Sequence, residues 1–103
     1  MDTLGAARFS ATVPIFVAEH AYWRAAERFP GFDTIRIEDE VRAAIAAGRV
    51  TADRRTLGLA AGSDPSCVYV WEPTGERIYA LRLDRFDGGR TWAVTTTMRR
   101  KHG

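Results

Sequence analysis

Apolar residues recur every three or four positions up to about residue 47, and from residue 67 onward they alternate or run in short blocks. The first pattern predicts helices packed by one face, and the second predicts strands. Residues 14–29 read as a first helix. Pro14 suits a first helical turn, where its missing N–H has no partner to lose, and Pro30-Gly31 stops the run. At 100° per residue from His20, the side chains of Phe29, Tyr22, Ala18, Ala25 and Ile15 fall within roughly 40° of the opposite pole, which predicts the core face. The near side carries Glu27, Arg24, Phe16, Trp23 and, at its margin, Arg28. Residues 8–13 read as a short extended lead-in.

A second helix is predicted over residues 37–47, with Ile37, Val41, Ala44 and Ile45 as its apolar stripe. Glu38, Asp39 and Glu40 fall in its first turn, where carboxylates favour the positive end of the dipole, and Gly48 suits the C-terminal cap. These three acids do not predict a metal site, because consecutive helical residues point in different directions. Residues 49–66 carry the weakest pattern: 56–60 read as a short strand and Gly62-Ser63-Asp64-Pro65 as a turn. Strands are then predicted over 67–71, 77–83 and 91–98, joined by Pro73-Thr74-Gly75-Glu76 and by a loop containing Gly88-Gly89. Such short connections predict an antiparallel meander. Alternation puts Tyr79, Leu81, Leu83, Trp92, Val94, Thr96 and Met98 under the helices. It puts Ile78, Ala80, Arg82, Ala93, Thr95, Thr97 and Arg99 on an open face, where threonines and arginines suit either plain solvation or an anionic ligand such as RNA. The expected architecture is α+β, with two N-terminal helices packed on a three- to four-stranded antiparallel sheet.

At 103 residues, 46% of them hydrophobic, the chain is expected to fold as one domain spanning 1–103, ending in a basic tail at 99–103. The net charge of +2 is too small to imply a nucleic-acid partner by itself. Nearly all the basic residues are arginine, which reflects either a GC-rich coding sequence or a use for planar, bidentate cations. Cys67 is the one cysteine and lies in an apolar run, so it reads as a small buried side chain in a reducing, cytoplasmic setting. The uncharged run at residues 9–18 is too short to span a bilayer and makes a poor signal peptide, and no membrane association is expected.

Candidate chemistry concentrates in His20-Ala21-Tyr22-Trp23-Arg24-Ala25-Ala26-Glu27-Arg28. Metal-independent RNA cleavage needs a group that exchanges a proton near neutral pH and fixed cations for the phosphorane charge. His20 with Arg24 and Arg28 meets that need, and Glu27 is placed to orient a base or neutralise an arginine. Trp23 and Phe16, aromatic on a polar face, suit stacked bases or a protein interface. A row of His, Arg and Glu is also an ordinary solvated helix surface.

The spacing His20-Ala21-x-x-Arg24-x-x-x-Arg28, then Ile37-x-x-Glu40-Val41, then hairpin strands carrying Val94-Thr95, resembles the small HARxRM domain family of unknown function. That family in turn resembles the RelE-like branch of the barnase–EndoU–colicin–RelE superfamily of ribonucleases and toxins. Ala25 departs from the family's apolar Met or Leu, and the link from Arg28 to Ile37 is longer than usual. The resemblance implies a metal-independent endoribonuclease toxin domain without cofactor, controlled by an antitoxin or immunity partner. His20, Arg24, Arg28 and Thr95 match its polar motif as catalytic positions. Trp23, Arg82, Thr97 and Arg99 are expected to bind RNA. The alternative is a non-enzymatic protein- or RNA-binding module of the same fold.

Overall fold

The computed structural model describes residues 14–58, 67–86 and 89–100, and the side chains among them except at 83–86, 89 and 90. The elements are β1 (Ile15–Val17), α1 (Glu19–Arg28), a 3-10 turn (Thr34–Arg36), α2 (Ile37–Ala46), β2 (Val50–Thr51), a second 3-10 turn (Arg54–Leu57), β3 (Cys67–Trp71), β4 (Arg77–Phe86) and β5 (Gly89–Arg99). The class is α+β, as expected. The sheet, however, has five strands in the order β1-β5-β4-β3-β2 and is mixed, because β1 runs parallel to β5 while the other pairs are antiparallel. The predicted first helix therefore loses its first turn to a strand. Ile15, Phe16 and Val17 suit a pleated surface and pair with Trp92, Ala93 and Val94. Trp92 donates its N–H to the Pro14 carbonyl at 2.9 Å, and Ala18 donates to the Val94 carbonyl at 3.0 Å, so the strand is fixed at both ends.

The sheet is buried on both faces. Ala21, Ala25, Ile37, Val41 and Ala44 of the helices pack on Val68, Val70, Tyr79, Leu81, Trp92 and Val94. On the other face Leu57, Tyr69, Ile78 and Ala80 form a second core, with Cys67, Trp71 and Met98 against it. The expected open face is thus closed at Ile78 and Ala80. It is covered by the second 3-10 turn, a segment predicted as a strand at 56–60. Asp53 starts that turn by accepting the Arg55 N–H at 2.9 Å, and Gly58 ends it in the left-handed region (φ 71°). Residues 59–60, the turn at 62–65, the lead-in at 8–13 and the Gly88 position lie outside the described residues.

A bulge in β5 overturns the predicted alternation. Leu81 stands opposite Val94 but Ala80 opposite Thr96, leaving Thr95 as the extra residue. Beyond it the faces exchange: Thr97 and Arg99 turn to the helix side, and Thr96 and Met98 turn away.

One polar cluster joins the layers. Arg77 grips the Glu40 carboxylate of α2 with both Nε (2.9 Å) and Nη2 (2.7 Å), and Tyr79 donates its hydroxyl to the same carboxylate. The guanidinium lies 4.0 Å from the Phe32 ring centroid and 5.2 Å from that of Phe29. Burial raises the Tyr79 hydroxyl pKa, and hydrogen bonding to Glu40 adds to the rise. Burial works against the Arg77 charge, yet its bonds to Glu40 outweigh that and raise its pKa. Close by, buried Glu72 closes the β3–β4 turn, accepting N–H groups from Thr74 (3.1 Å), Glu76 (3.0 Å) and Arg77 (3.3 Å) and the Thr74 hydroxyl. Gly75 in this turn takes φ 77°, a conformation costly to other residues.

Removing one partner of a buried pair leaves an unpaired charge, so Arg77→Ala is expected to cost about 3–5 kcal/mol in urea unfolding, and Arg77→Met with Glu40→Leu and Tyr79→Phe, which removes the hydroxyl bonded to both, is expected to recover much of it. Burial pushes the Glu72 pKa up, but its hydrogen bonds and the Arg77 charge outweigh that and hold it below 4.5. A lowered folded-state pKa contributes stability that is fully present above the unfolded value and is lost as the pH falls through the folded one. Stability measured by denaturant titration is therefore expected to fall below about pH 4.5, and less steeply in Glu72→Gln.

Candidate functional site

The first helix owes its position to what it lacks on one side. Ala21 and Ala25 are fully buried, and their small side chains let the backbone approach β5 closely. Thr97 uses that approach: its buried hydroxyl donates to the Ala21 carbonyl at 2.9 Å. Arg28 donates from Nη1 to the Thr97 carbonyl at 3.3 Å, and Arg99 donates back to the Arg28 carbonyl while its guanidinium lies 4.6 Å from the Phe29 ring centroid. Glu19 in the first turn and Arg28 in the last suit the helix dipole. The helix ends where Phe29 donates to the Ala25 carbonyl at 2.9 Å.

The buried pole of α1 lies between Ala21 and Ala25, about 60° from the direction the sequence predicted. The shift follows from the strand at 15–17, since Ile15 and Phe16 do not belong to the helix at all. Tyr22, expected in the core, is 40% exposed. Phe16, expected beside Trp23, sits in β1 with its side chain away from the helix layer, 55% exposed.

On the outward flank stands a three-residue polar unit. Arg24 donates from Nε to His20 Nε2 at 3.4 Å and from Nη1 to Glu27 Oε1 at 2.7 Å. The first bond requires the unprotonated nitrogen of the ring to face the guanidinium. Among the described residues the two hydrogens on Nη2 carry no bond, so an anion can reach Arg24 from the side where His20 stands. His20 is exposed, and Trp23 beside it is 73% exposed.

The eight residues predicted for the site therefore divide. His20, Trp23 and Arg24 share the solvent-facing side of α1. Arg28 and Arg99 are adjacent to them but tie the helix to β5, and Thr97 is buried between the layers instead of facing RNA. Thr95 sits on the bulge and donates to the Ala80 carbonyl at 3.3 Å. Arg82 is exposed on the opposite face of the sheet, because it alternates with buried Leu81. It does not share a surface with His20. Arg100, the second residue of the expected tail, donates to the Leu57 carbonyl at 3.3 Å.

The sequence reading missed two further features. Glu40, Glu72, Arg77 and Tyr79 converge. The spacing of Arg77 and Tyr79, two apart on one strand face, was the available signal. A depression of about 300 Å³ opens between α2 and the β3–β4 turn, lined by Arg36, Asp39, Glu40, Ala43, Arg49 and Pro73. None of its lining residues belongs to α1 or β5. Among the described residues, no three His, Cys, Asp or Glu side chains are grouped to hold a metal ion, and no helix is long and apolar enough to cross a membrane. No family model, curated protein or solved structure matches the chain.

The Thr97 hydroxyl holds α1 down, so Thr97→Val is expected to cost about 1 kcal/mol and to speed amide hydrogen exchange in α1 more than in α2. Equal protection of α1 in the two proteins would show that the stitch is dispensable.

Proposed function

We propose that this chain is a small ribonuclease-like domain that cleaves RNA without a metal ion and is held in check by an inhibitory protein partner. The observation that carries the reading is the exposed His20 imidazole beside the Arg24 guanidinium, which is fixed by Glu27 with one amino group unbonded. The resemblance of the His20–Arg24–Arg28 spacing to HARxRM domains, which in turn resemble RelE-like ribonucleases, supports the choice of RNA over other phosphoesters.

In the proposed reaction the Arg24 Nε–H leaves His20 Nε2 for the bound phosphate, and the freed Nε2 takes the proton of a 2′-hydroxyl as that oxygen attacks the adjacent phosphorus. The P–O5′ bond breaks, and the 5′-oxygen leaves with a proton from water. The products are a 2′,3′-cyclic phosphate and a 5′-hydroxyl, and the imidazolium returns its proton to solvent. Arg24 stabilises the charge that grows on the non-bridging oxygens through its Nη2 hydrogens. Arg28 and Arg99 support this chemistry mainly by fixing the helix that carries it.

A second reading, a binding module without catalysis, is favoured by one observation. Arg28, Thr97 and Arg99 are engaged in holding the helix, which leaves His20 and Arg24 with few companions for chemistry.

Purified protein in EDTA is expected to produce 2′,3′-cyclic phosphate ends from single-stranded RNA. His20→Ala is expected to lower the rate by roughly 10²–10⁴-fold and Arg24→Ala by roughly 10²–10³-fold. RNA binding with no cyclic phosphate product would decide for the binding module.

A further inference from the structure

We propose that Trp23 is a base-stacking platform, and that it restricts the α1 site to unpaired RNA with one base held over the indole and the neighbouring phosphate over His20 and Arg24. The proposal rests on the ribonuclease reading and adds to it the strandedness of the substrate and the way it lies on the helix.

Trp23 stands about 180° from the buried Ala21–Ala25 direction at 100° per residue. It is 73% exposed, so fold packing does not account for the residue type there. Its own ridge carries Glu19 and Glu27 one turn to either side, at positions i−4 and i+4. Carboxylates in those places repel a phosphate backbone running along the ridge. The adjacent row carries His20, about 60° around the helix from Trp23, Arg24, about 100° away, and Arg28, about 140° away and bonded to the Thr97 carbonyl. A phosphate is therefore favoured over the His20–Arg24 part of that row, on the side away from Glu19 and Glu27. Position 20 lies three residues from Trp23, within one turn, so a nucleotide whose phosphate rests on the basic row can turn its base onto the indole. A base in a duplex is already stacked and paired and cannot do so, whereas every unpaired base offers a π-face to an aromatic side chain.

The test uses the intact chain and two probes: 2′-O-methyl hexauridine, which lacks the attacking hydroxyl, and a 2′-O-methyl duplex of equal length. Hexauridine is expected to quench tryptophan fluorescence and the duplex to bind more weakly. Trp23→Ala is expected to weaken hexauridine binding roughly tenfold to a hundredfold, the range carried by one base–aromatic stack. Trp23→Phe is expected to stay within a few-fold of the parent. Because Trp23 is 73% exposed, both variants should keep the parent melting temperature. In cleavage of single-stranded RNA the Ala variant should raise KM far more than it lowers kcat. Cleavage by the parent with an unchanged KM in Trp23→Ala would overturn the platform while leaving the ribonuclease reading standing. Absence of both cleavage and hexauridine binding by the parent would remove that reading and the platform with it. Loss of binding to a protein partner in Trp23→Ala, with RNA binding intact, would assign the indole to a protein interface instead.

Discussion

The two layers of this fold are joined through the guanidinium of Arg77. Its two bonds to Glu40 tie β4 to the second helix, and its stacking on Phe29 and Phe32 ties the same strand to the segment that leaves the first helix. A planar cation is suited to this place, since it offers an edge to a carboxylate and a face to an aromatic ring at once. Lysine supplies neither the fork nor the plane. The pair is largely buried, so it selects this packing over others more than it adds net stability. With Arg77 fixed, Phe29 is fixed, and Arg99 rests on the other contact of that ring. The C-terminal end of the first helix thus meets Arg77 and Arg99 through one shared ring.

That chain of contacts explains how the arginines divide between structure and solvent. Arg28 and Arg99 satisfy main-chain carbonyls where the helix ends and where β5, on its β1 side, has no paired strand beyond Val94 among the described residues. A side-chain donor on such an edge shields it from pairing with another chain. Arg24, one turn earlier, bonds to the side chains of His20 and Glu27 instead. An exposed i,i+3 pair of this kind contributes a few tenths of a kcal/mol at most. The Arg24 arrangement therefore adds little to the fold, and a phosphate can reorganise it at low cost.

What could be read from the sequence follows the range of the interactions involved. The second helix and Cys67–Trp71 were legible because their apolar patterns are local and complete. Gly48 was legible as a cap because positive φ is a local demand. β1 was not legible: three apolar residues beside a helix continue its period, and only their pairing with Trp92, Ala93 and Val94, some 77 positions away, makes them a strand. The second 3-10 turn was hidden for a similar reason, since it is held by Asp53 and by burial of Leu57 against the far side of the sheet. Of the candidate site, His20, Trp23 and Arg24 were placed correctly on the outer side of the helix. Arg82 and Thr97 were assigned to one open face and lie instead on opposite sides of the sheet.

The single bulge at Thr95 accounts for that exchange and has a consequence for the site. Without it, strict alternation would turn Thr96 toward the helix and Thr97 away. With Thr95 as the extra residue, Thr97 meets the Ala21 carbonyl and Arg99 comes up beside Phe29. Both contacts lie on the same side of the first helix, and together they orient its outer rows. Absorbing Thr95 as a bulge therefore keeps Thr97 and Arg99 on the side of the sheet that carries the first helix. Deleting Thr95 would leave Val94 opposite Leu81, Thr96 opposite Ala80 and Thr97 opposite Tyr79, so the later side chains would keep their faces, whereas straightening the strand with Thr95 retained would turn Thr97 and Arg99 away from the helix.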